Sequence, residues 1–567
     1  MSSSQIPATI PSVPWRGDIL LLLAFFGALY FFALGRLELV RPDEPRTAEI
    51  AREMVVTGDW VTPRLNDTRY FEKPPLVYWT AALSQLAFGP EEWALRLTPT
   101  LFGLGGIMLT YAAARRMHGR EAGLAAAIVL GTSVLYFGVA RLLQLDMALT
   151  FFMGVTLFSF ILGVRAAPGP ARRWLFRALY AAAALATLSK GPIGFLIPGA
   201  VMLLWLVVFN QWHRLRPLHL PEGMVLFLLI AGPWHILVMQ RNPEWAHFYF
   251  VHEHWTRFAT PTHDRAEPFW YYIPVILIGL FPWSGFLFGG VRQAVAGGWG
   301  RRKENSDAWF LVTWAAFIFL LFSKSHSKLS TYMLPAFPPL AVLIGAWLAQ
   351  CWAERASSRL RLGFVVFGFA CGVIGAALIA AVLKPGIIRD HAQMVSLRPY
   401  AFALAATLFL GGVGAHWAAK VRGVTAGLGT IIGTMIGFFL IVVMAGPKWS
   451  RGGTKDIALV ARERVAAGDR VFHYWAFFHD FVFYSGKMSG VVSNVGELEV
   501  QFLDPAERAA RFIDEIELRR QWAGSDRIWL VARKRDLLHA KAVFADPGFR
   551  YHLIAETRTH SLFSNRP

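Results

Sequence analysis

Apolar residues fill most of the chain in segments long enough to cross a bilayer, and short polar turns separate them. A hydrocarbon core of roughly 30 Å needs about 18 to 23 mainly apolar residues. The pattern therefore predicts about thirteen transmembrane helices, the first retained as a signal anchor because charge follows it without a small-residue cleavage site. The predicted spans are 17–35, 94–114, 121–140, 145–164, 174–189, 191–209, 223–240, 270–290, 307–323, 332–351, 361–383, 400–418 and 424–446.

The sequence changes character after residue 446. The remaining residues are rich in charge, with strand-like runs such as "RVFHYW", "RIWLVAR" and "YHLIAE" around the helical run "ERAARFIDEIELRRQW". We therefore predict a transmembrane domain over 1–446 and a small α/β domain over 447–567. The second domain has no glycine-rich phosphate loop and no nucleophile elbow, so it carries no recognisable chemistry by itself.

Basic residues in the connecting loops predict the orientation. Lys and Arg accumulate in alternate loops, including "RRMHGRE", "RAAPGPARRWLFR" and "AERASSRLRL", as the positive-inside rule expects of cytoplasmic loops. The N-terminus is then cytoplasmic, and an odd number of spans places the C-terminal domain in the periplasm. The same outer side holds a first loop over 36–93 and a large loop over 241–269.

Composition supports this class and excludes others. The chain is 55% hydrophobic and only 16% charged, which a soluble chain of this size could not bury. Cytoplasmic loops account for most of the net charge of +19, so the charge indicates a membrane-lipid environment and not nucleic-acid binding. Cys351 and Cys371 lie in or beside predicted spans and indicate neither a disulfide framework nor a zinc knuckle.

The first outer loop opens with "RPDEPRTAEIAREMVVTGDW", residues 41–60. Its apolar residues recur at helical spacing, from Thr47 through Ile50 to Met54, and its charged residues fall on another face. We predict a helix that is capped by Asp43, ends at Gly58 and lies along the membrane surface.

Other ionisable residues cluster in loops on the same predicted side. They stand in "RLLQLDMAL", "SKGP", "HFYFVHEHWTRFATPTHDRAEPFWYY" and "FSKSHSKLSTY". Each has an ordinary explanation alone, since an aspartate often caps a helix, a lysine can extend to the interface and a lone interfacial histidine is usually structural. Ionisable groups at the ends of spans are costly unless paired or used, so their collection on one side predicts a shared cavity.

These motifs, with "YFEKPPLVYW", "SKGPIGFLIP" and "SKLSTYMLPAFPPL", resemble in order and spacing the bacterial lipid A 4-amino-4-deoxy-L-arabinose transferase family. Its members are polytopic glycosyltransferases related to protein O-mannosyltransferases. The resemblance covers residues 15 to about 345 well, and the last third mainly in layout. It implies an all-α membrane-embedded GT-C fold with periplasmic juxtamembrane helices, in the bacterial inner membrane. It also implies a polyprenyl (undecaprenyl) phosphate-linked sugar donor, lipid A or another glycan or lipid as acceptor, and a monomer.

The resemblance also implies residue roles. It assigns catalysis to Asp43, Asp146 and Glu44. It assigns donor-phosphate and substrate binding to Arg46, Tyr70, Lys73, Lys190, Arg257, Lys328 and Tyr332. It assigns a divalent metal, zinc above all, to Glu72 and His254, although two ligands do not complete a protein metal site. No other cofactor is implied.

The chemistry of sugar transfer fits these residue types. Breaking the anomeric C–O bond places negative charge on the departing lipid phosphate, which fixed cations such as Arg46, Lys73, Arg257 and Lys328 would stabilise. A hydroxyl acceptor needs a carboxylate base and gives inversion in one step. A phosphate acceptor is already ionised near neutral pH, so Asp43, the principal catalytic carboxylate, would then stabilise charge on the sugar.

The sugar and the acceptor stay open. This chain has Thr47 where the family's "DETRY" motif has tyrosine, Ser189 where "TKG" has threonine, and an additional histidine at 252. Galacturonic acid, hexosamine or hexose transfer to core oligosaccharide, another glycan or protein are the alternatives. A lipid transporter or flippase would show internal repeats and charges at the bilayer midplane, and neither is evident. An inactive assembly factor is a third alternative.

Overall fold

The computed structural model describes residues 15–256, 267–384, 390–450, 452–496, 498–538 and 549–567, without the side chains of 252–256 and 357. Helices make up the chain to about residue 450, and a mixed sheet with short helices follows. The predicted class, a polytopic helical membrane domain followed by an α/β domain, is confirmed.

Ten α-helices occupy the described part of the chain up to residue 241. They are α1 Trp15–Phe31, α2 Asp43–Thr57, α3 Leu76–Phe88, α4 Glu92–His118, α5 Arg120–Gly131, α6 Val134–Val139, α7 Leu145–Arg165, α8 Pro170–Lys190, α9 Ile193–Phe209 and α10 Leu220–Arg241. Two of them, α2 and α3, belong to the first loop. A two-stranded hairpin of β1 (Arg64–Leu65) and β2 (Thr68–Arg69) lies between α2 and α3. A π-helical segment, His247–Thr256, follows α10.

Seven further helices complete the membrane domain. They are α11 Tyr272–Gly279, α12 Ser284–Ala294, α13 Ser306–Lys324, α14 Phe337–Ala353, α15 Arg361–Leu383, α16 His391–Val421 and α17 Val424–Trp449. A 3₁₀ segment, Ser330–Ala336, leads into α14. These helices and α4 to α9 share one large apolar core.

The count of thirteen spans is not confirmed. In the described part of the chain, eight helices have the length and hydropathy of a membrane span, or nine if the pair Phe269–Gly279 and Ser284–Ala294, bent by 106°, is one broken span. Several predicted spans fold as shorter pieces. The predicted span 121–140 divides into α5 and α6, of 12 and 6 residues, because the chain turns at Thr132.

The C-terminal domain is built on a six-stranded sheet. In chain order its strands are β3 Arg470–Tyr474, β4 Gly490–Val492, β5 Phe512–Ile513, β6 Ile528–Arg533, β7 His552–Glu556 and β8 His560–Ser564. Their order across the sheet is β5-β4-β3-β6-β8-β7. The first four are parallel, whereas β8 is antiparallel to both β6 and β7. Its helices are α18 Lys455–Arg464, α19 His479–Ser485, α20 Pro505–Arg511 and α21 Glu515–Trp522.

The C-terminal domain covers the first loop. Asn66 in the hairpin turn donates to the Ser489 carbonyl at 2.8 Å and accepts from the Ser489 amide at 2.9 Å. Glu92 at the start of α4 accepts from Lys455 at 2.5 Å and from the Tyr484 hydroxyl at 2.9 Å. These buried and half-buried contacts fix the domain over the loop, because each one satisfies polar groups that would otherwise lose water.

Helix α2 forms where the sequence predicts it, but its charged face is not exposed. Ile50 and Met54 pack in the same apolar cluster as residues of α19. On the other face, Arg52 donates twice to the buried Glu49, at 2.7 Å each, and the buried Glu53 accepts from a backbone amide of the hairpin. Burial and the neighbouring Glu49 raise the pKa of Glu53 to about 8. The helix is therefore an internal element between the membrane domain and the C-terminal domain.

Three histidines of the C-terminal domain are buried, and we expect them to make the domain sensitive to acid. Burial lowers the pKa of His473, His479 and His560 to about 3, and nearby histidines or arginines add to the effect. The Phe478 amide also donates to Nδ1 of His473 at 3.1 Å, which requires that nitrogen to carry no proton. Because these folded-state pKa values lie below the ordinary value of 6.5, the unfolded chain binds more protons below that pH.

We expect the free energy of unfolding to fall by about 2 kcal/mol for each of these histidines between pH 6.5 and 5, with further loss toward pH 3. Urea unfolding of the purified protein at several pH values, followed by proteolytic sensitivity of the C-terminal domain, measures it. His560→Gln should remove about one third of the contribution that these histidines make to the pH dependence, whereas the same change at the exposed His552 should not alter it. Equal stability at pH 7 and pH 5 would contradict the expectation.

Candidate active site

A cavity of about 500 Å³ lies where the first loop meets the ends of α7 and α8. Its wall brings together five separate stretches of the chain and one residue of the C-terminal domain. The lining residues are Pro42, Asp43, Arg46, Thr47, Tyr70, Glu72, Lys73, Tyr78, Gln144, Leu145, Asp146, Lys190, Leu329, Ser330, Thr331, Tyr332 and Gly496. Eight of the twelve residues predicted from the sequence are among them. We call this space the donor cavity, after the sugar donor that the family resemblance implies.

The first wall is the beginning of α2. Arg46 donates to Asp43 at 2.5 Å, one turn apart on the same helix. The Asp43 side chain is 48% exposed, so the carboxylate remains open to the cavity. The helix begins at Asp43 with Pro42 before it and no side-chain cap, so the predicted capping role of Asp43 is wrong. The carboxylate instead forms an ion pair with Arg46, and the positive end of the helix dipole still stabilises its negative charge.

The opposite wall is an ion pair between two neighbouring helices. Helices α7 and α8 pack against each other, and Asp146 lies in the first turn of α7 whereas Lys190 is the last residue of α8. An antiparallel pair joined by a short turn brings these ends together, and the Lys190 ammonium donates to Asp146 at 2.6 Å. Each charge suits the dipole of its own helix end. The Tyr332 ring lies 5.1 Å from the same ammonium, a cation–π contact.

The remaining wall comes from "YFEKPP". Lys73 donates to the Glu72 carbonyl at 3.1 Å, and both side chains are half-buried in the cavity wall. Tyr70 is buried, and burial raises the pKa of its phenol, so the hydroxyl is neutral and able to donate. The formal charges of the lining residues therefore balance, with three cations and three carboxylates.

A buried ion pair lies beneath the cavity and joins two of its walls. Glu44 is fully buried, and Arg96 of α4 donates to its two oxygens at 2.9 and 2.7 Å. The same carboxylate accepts from the Leu143 amide at 2.7 Å and the Val40 amide at 2.7 Å. It therefore connects the segment before Asp43 to the segment before Asp146. Glu44 does not line the cavity, and these contacts are those of a positioning residue.

The other predicted residues lie elsewhere. Lys328 is buried next to the cavity-lining stretch 329–332, but its ammonium donates to the carbonyls of Ser325 and Glu267 at 2.6 and 2.8 Å. It supports that stretch without lining the donor cavity. His254 belongs to the π-helical segment, but its side chain lies outside the described residues, as does all of Arg257.

The described side chains do not form a metal site. Glu72 supplies one carboxylate in the cavity, and within the ranges that the structure describes no group of three or more His, Cys, Asp or Glu side chains is placed to hold a metal ion. One carboxylate does not complete a zinc coordination sphere.

Sequence reasoning missed two contributors to the site. Arg96 stands inside the apolar run "EEWALRLTP", and an arginine within a membrane span is by itself a signal for a functional or structural partner. Gly496 of the C-terminal domain also lines the cavity, and no local pattern predicts that a residue so distant in sequence reaches it.

The chain is similar to known membrane enzymes. Residues 72–236 match the family model described as dolichyl-phosphate-mannose-protein mannosyltransferase. Over 372 residues the chain is 35% identical to the undecaprenyl phosphate-alpha-4-amino-4-deoxy-L-arabinose arabinosyl transferase of Edwardsiella ictaluri, which covers 65% of this chain and 66%, just under two thirds, of that relative. It is 33% identical over 403 residues to the protein of the same name from Erwinia tasmaniensis, covering 70% of each.

A solved structure extends the similarity to nearly the whole chain. The crystal structure of ArnT from Cupriavidus metallidurans bound to undecaprenyl phosphate matches with a TM-score of 0.84 and 27% identity, over 97% of this chain and 98% of that one. The expected GT-C architecture is thereby confirmed, including the C-terminal domain, where the sequence resembled the family mainly in layout.

Proposed function

This chain belongs to the family of undecaprenyl phosphate-alpha-4-amino-4-deoxy-L-arabinose arabinosyl transferases, and we propose that it transfers that sugar from undecaprenyl phosphate to lipid A. The observation that carries the proposal is the donor cavity, where Arg46, Lys73 and Lys190 from three separate segments line one space with Asp43. Such an arrangement suits the charge separation that occurs when a glycosyl phosphate bond breaks.

Arg46 and Lys190 would bind the donor phosphate. Each is held in place by a carboxylate, Asp43 for Arg46 and Asp146 for Lys190, so little reorganisation is needed when the phosphate arrives. Fixed cations stabilise the negative charge that accumulates on the departing undecaprenyl phosphate. Lys73, in the third wall, adds a further positive charge, and the neutral Tyr70 hydroxyl adds a hydrogen-bond donor.

Asp43 would act on the sugar. A phosphate oxygen of lipid A forms the new bond to the anomeric carbon as the bond to the undecaprenyl phosphate oxygen breaks, and the electron pair leaves with that phosphate. The acceptor phosphate, with a second pKa of about 6, is already ionised, so no proton has to be removed. The partly exposed Asp43 carboxylate would then stabilise the positive charge that develops on the sugar. Attack from the face opposite the leaving group inverts the anomeric carbon.

The reaction would take place on the periplasmic side. The chain is a multi-pass protein of the inner membrane, and the bias of basic residues supports a cytoplasmic N-terminus and a periplasmic C-terminal domain. The first loop and the C-terminal domain enclose the candidate site together, so the two lie on one side of the membrane. A divalent metal at Glu72 and His254 is not needed for any step described above.

Mass spectrometry of lipid A tests the proposal. Cells that produce the protein should contain lipid A heavier by one aminopentose residue, and cells without it should not. A different mass increment would indicate another sugar and would overturn the assignment of the donor. The sugar needs this test because Thr47, which departs from the family motif, lines the donor cavity. An unchanged lipid A profile, with the protein folded in the membrane, would overturn the assignment of the acceptor.

A further inference from the structure

A second cavity, of about 770 Å³, lies beside the donor cavity, between the first loop and the C-terminal domain. Pro42 and Gly496 line both spaces. Arg41 and Asp43 flank Pro42, and Arg41 faces the second cavity whereas Asp43 faces the first. The two cavities therefore meet between this turn of the first loop and Gly496 of the C-terminal domain. A ligand in the second would lie next to the candidate catalytic carboxylate.

The second cavity is lined by an excess of positive charge. Five cations reach it from the first loop, from the end of β6 and from the turn before β8, and we call it the basic groove. These cations are Arg41, Arg533, Lys534, Arg535 and Arg558. Among the described lining residues Asp480 is the one carboxylate, and it is buried, with Arg41 at 3.7 Å and the Thr454 amide at 2.8 Å.

The five cations of the groove all have carboxylate partners, Asp390 in the case of Arg558, but several of these pairs are shared or partly exposed. Arg533 and Arg535 both contact Asp536 through Nε, at 2.6 and 3.5 Å, so two guanidinium groups share one carboxylate. Lys534 pairs with Glu556 at 2.7 Å, where the carboxylate is 53% exposed. An exposed pair such as Lys534–Glu556 contributes little to stability because water competes with it, so a phosphate can replace or share it at small cost.

An aromatic residue in an unusual conformation adds to the argument. Trp475 lines the groove with a φ of 60°, in the left-handed region that bulky residues rarely adopt. Trp475 is 46% exposed, and its indole N–H donates to Glu515 at 3.1 Å, which holds the ring in place. Strained backbone that persists in a fold is concentrated at binding sites. An exposed indole there offers an apolar face to a sugar ring.

We infer that the basic groove binds the phosphorylated sugar headgroup of the acceptor lipid. This inference rests on the proposed function, and it adds the place where the acceptor is recognised. Arginine matches phosphate oxygens with paired hydrogen bonds, and three of the groove's arginines are in the C-terminal domain. One headgroup phosphate bound in the groove would hold the reacting phosphate against the donor cavity. The C-terminal domain thereby gains a function in substrate recognition.

Steady-state kinetics of the purified full-length protein test the groove. Arg533→Ala/Arg535→Ala should raise the KM for lipid A about tenfold and leave kcat and the KM for the undecaprenyl phosphate-linked donor unchanged. If the double variant folds poorly, the same kinetics are measured on Arg535→Ala alone, because the Arg535 side chain is 74% exposed and its loss should not disturb folding. Arg520→Ala is the matched control, because its side chain is 77% exposed in the same domain but outside the groove. An unchanged KM for lipid A in a folded double variant would overturn the inference.

Binding without turnover separates this inference from the proposed function. Fluorescent lipid A and its enzymatically dephosphorylated form are titrated into the protein in detergent, with and without inorganic phosphate. The wild type should bind the phosphorylated form about tenfold more tightly, and the double variant should lose that preference. Equal affinity for both forms, or complete displacement by an equimolar amount of inorganic phosphate, would overturn the lipid headgroup as the ligand. This readout stands even if no sugar transfer is found.

Discussion

Asp43→Asn is expected to lower kcat for sugar transfer about 10³-fold. Asparagine keeps the size of the side chain and can still accept from Arg46, which lies 2.5 Å away in the wild type. Asparagine lacks the negative charge that stabilises the positive charge on the sugar in the transition state. The variant therefore loses transition-state stabilisation, and the KM for the donor should change little. The measurement is single-turnover transfer from the undecaprenyl phosphate-linked donor to lipid A with purified protein.

Asp67→Asn is the matched control for this prediction. Asp67 belongs to the same loop, has a side chain that is 44% exposed and pairs with Arg64, but it does not line the donor cavity. Its activity should equal that of the wild type. Full activity of Asp43→Asn would show that another group stabilises the sugar, and the assignment of Asp43 would be wrong.

Arg96→Met is expected to lower the free energy of unfolding by about 3 to 5 kcal/mol, because it leaves a buried carboxylate without its cation. Arg96 also donates to the carbonyls of Leu34, Leu37 and Glu38, at 3.0, 2.6 and 3.0 Å, and these would lose their partner as well. Chemical denaturation in detergent measures the loss. Transfer activity should fall even under conditions where the variant remains folded, since Glu44 connects the segments that carry Asp43 and Asp146.

Two further variants show whether the Glu44–Arg96 ion pair itself is responsible for the loss of stability. Glu44→Leu/Arg96→Met removes both charges, and it should recover part of the stability lost in the single variant because no unpaired charge remains. Arg116→Met, in the exposed last turn of the same helix, should change stability by no more than about 0.5 kcal/mol. A single Arg96→Met variant as stable as the wild type would refute the structural importance of the pair.

Much of the candidate site follows from the sequence because its residues lie at the ends of regular elements. The apolar runs place Asp146 at the beginning of one span and Lys190 at the end of the next, and a short connection makes such neighbours antiparallel. Their meeting at 2.6 Å is therefore a consequence of local pattern. Helix α2 is predicted for the same reason, since its apolar spacing and the glycine at 58, with a φ of 69°, define its length and its end.

The roles of adjacent residues did not follow from the sequence. Asp43 and Glu44 stand side by side in one motif, yet one faces the cavity and the other is fully buried against Arg96. Successive residues of a helix point about 100° apart, so which of the two is exposed depends on what packs against the helix. The burial of the charged face of α2 has the same explanation, because Glu49 pairs with Arg52 and Glu53 accepts from the hairpin instead of facing water.

The sequence by itself determined the membrane class, the positions of most helices and the six charged side chains that line the donor cavity, because hydrophobic periodicity, helix-end charges and short motifs act over a few residues. The tertiary structure alone decided that Arg96 holds Glu44 and that the C-terminal domain closes the site and forms the basic groove with Arg41. Those contacts join residues from 52 to more than 400 positions apart. Their formation depends on the packing of whole elements, which no local pattern encodes.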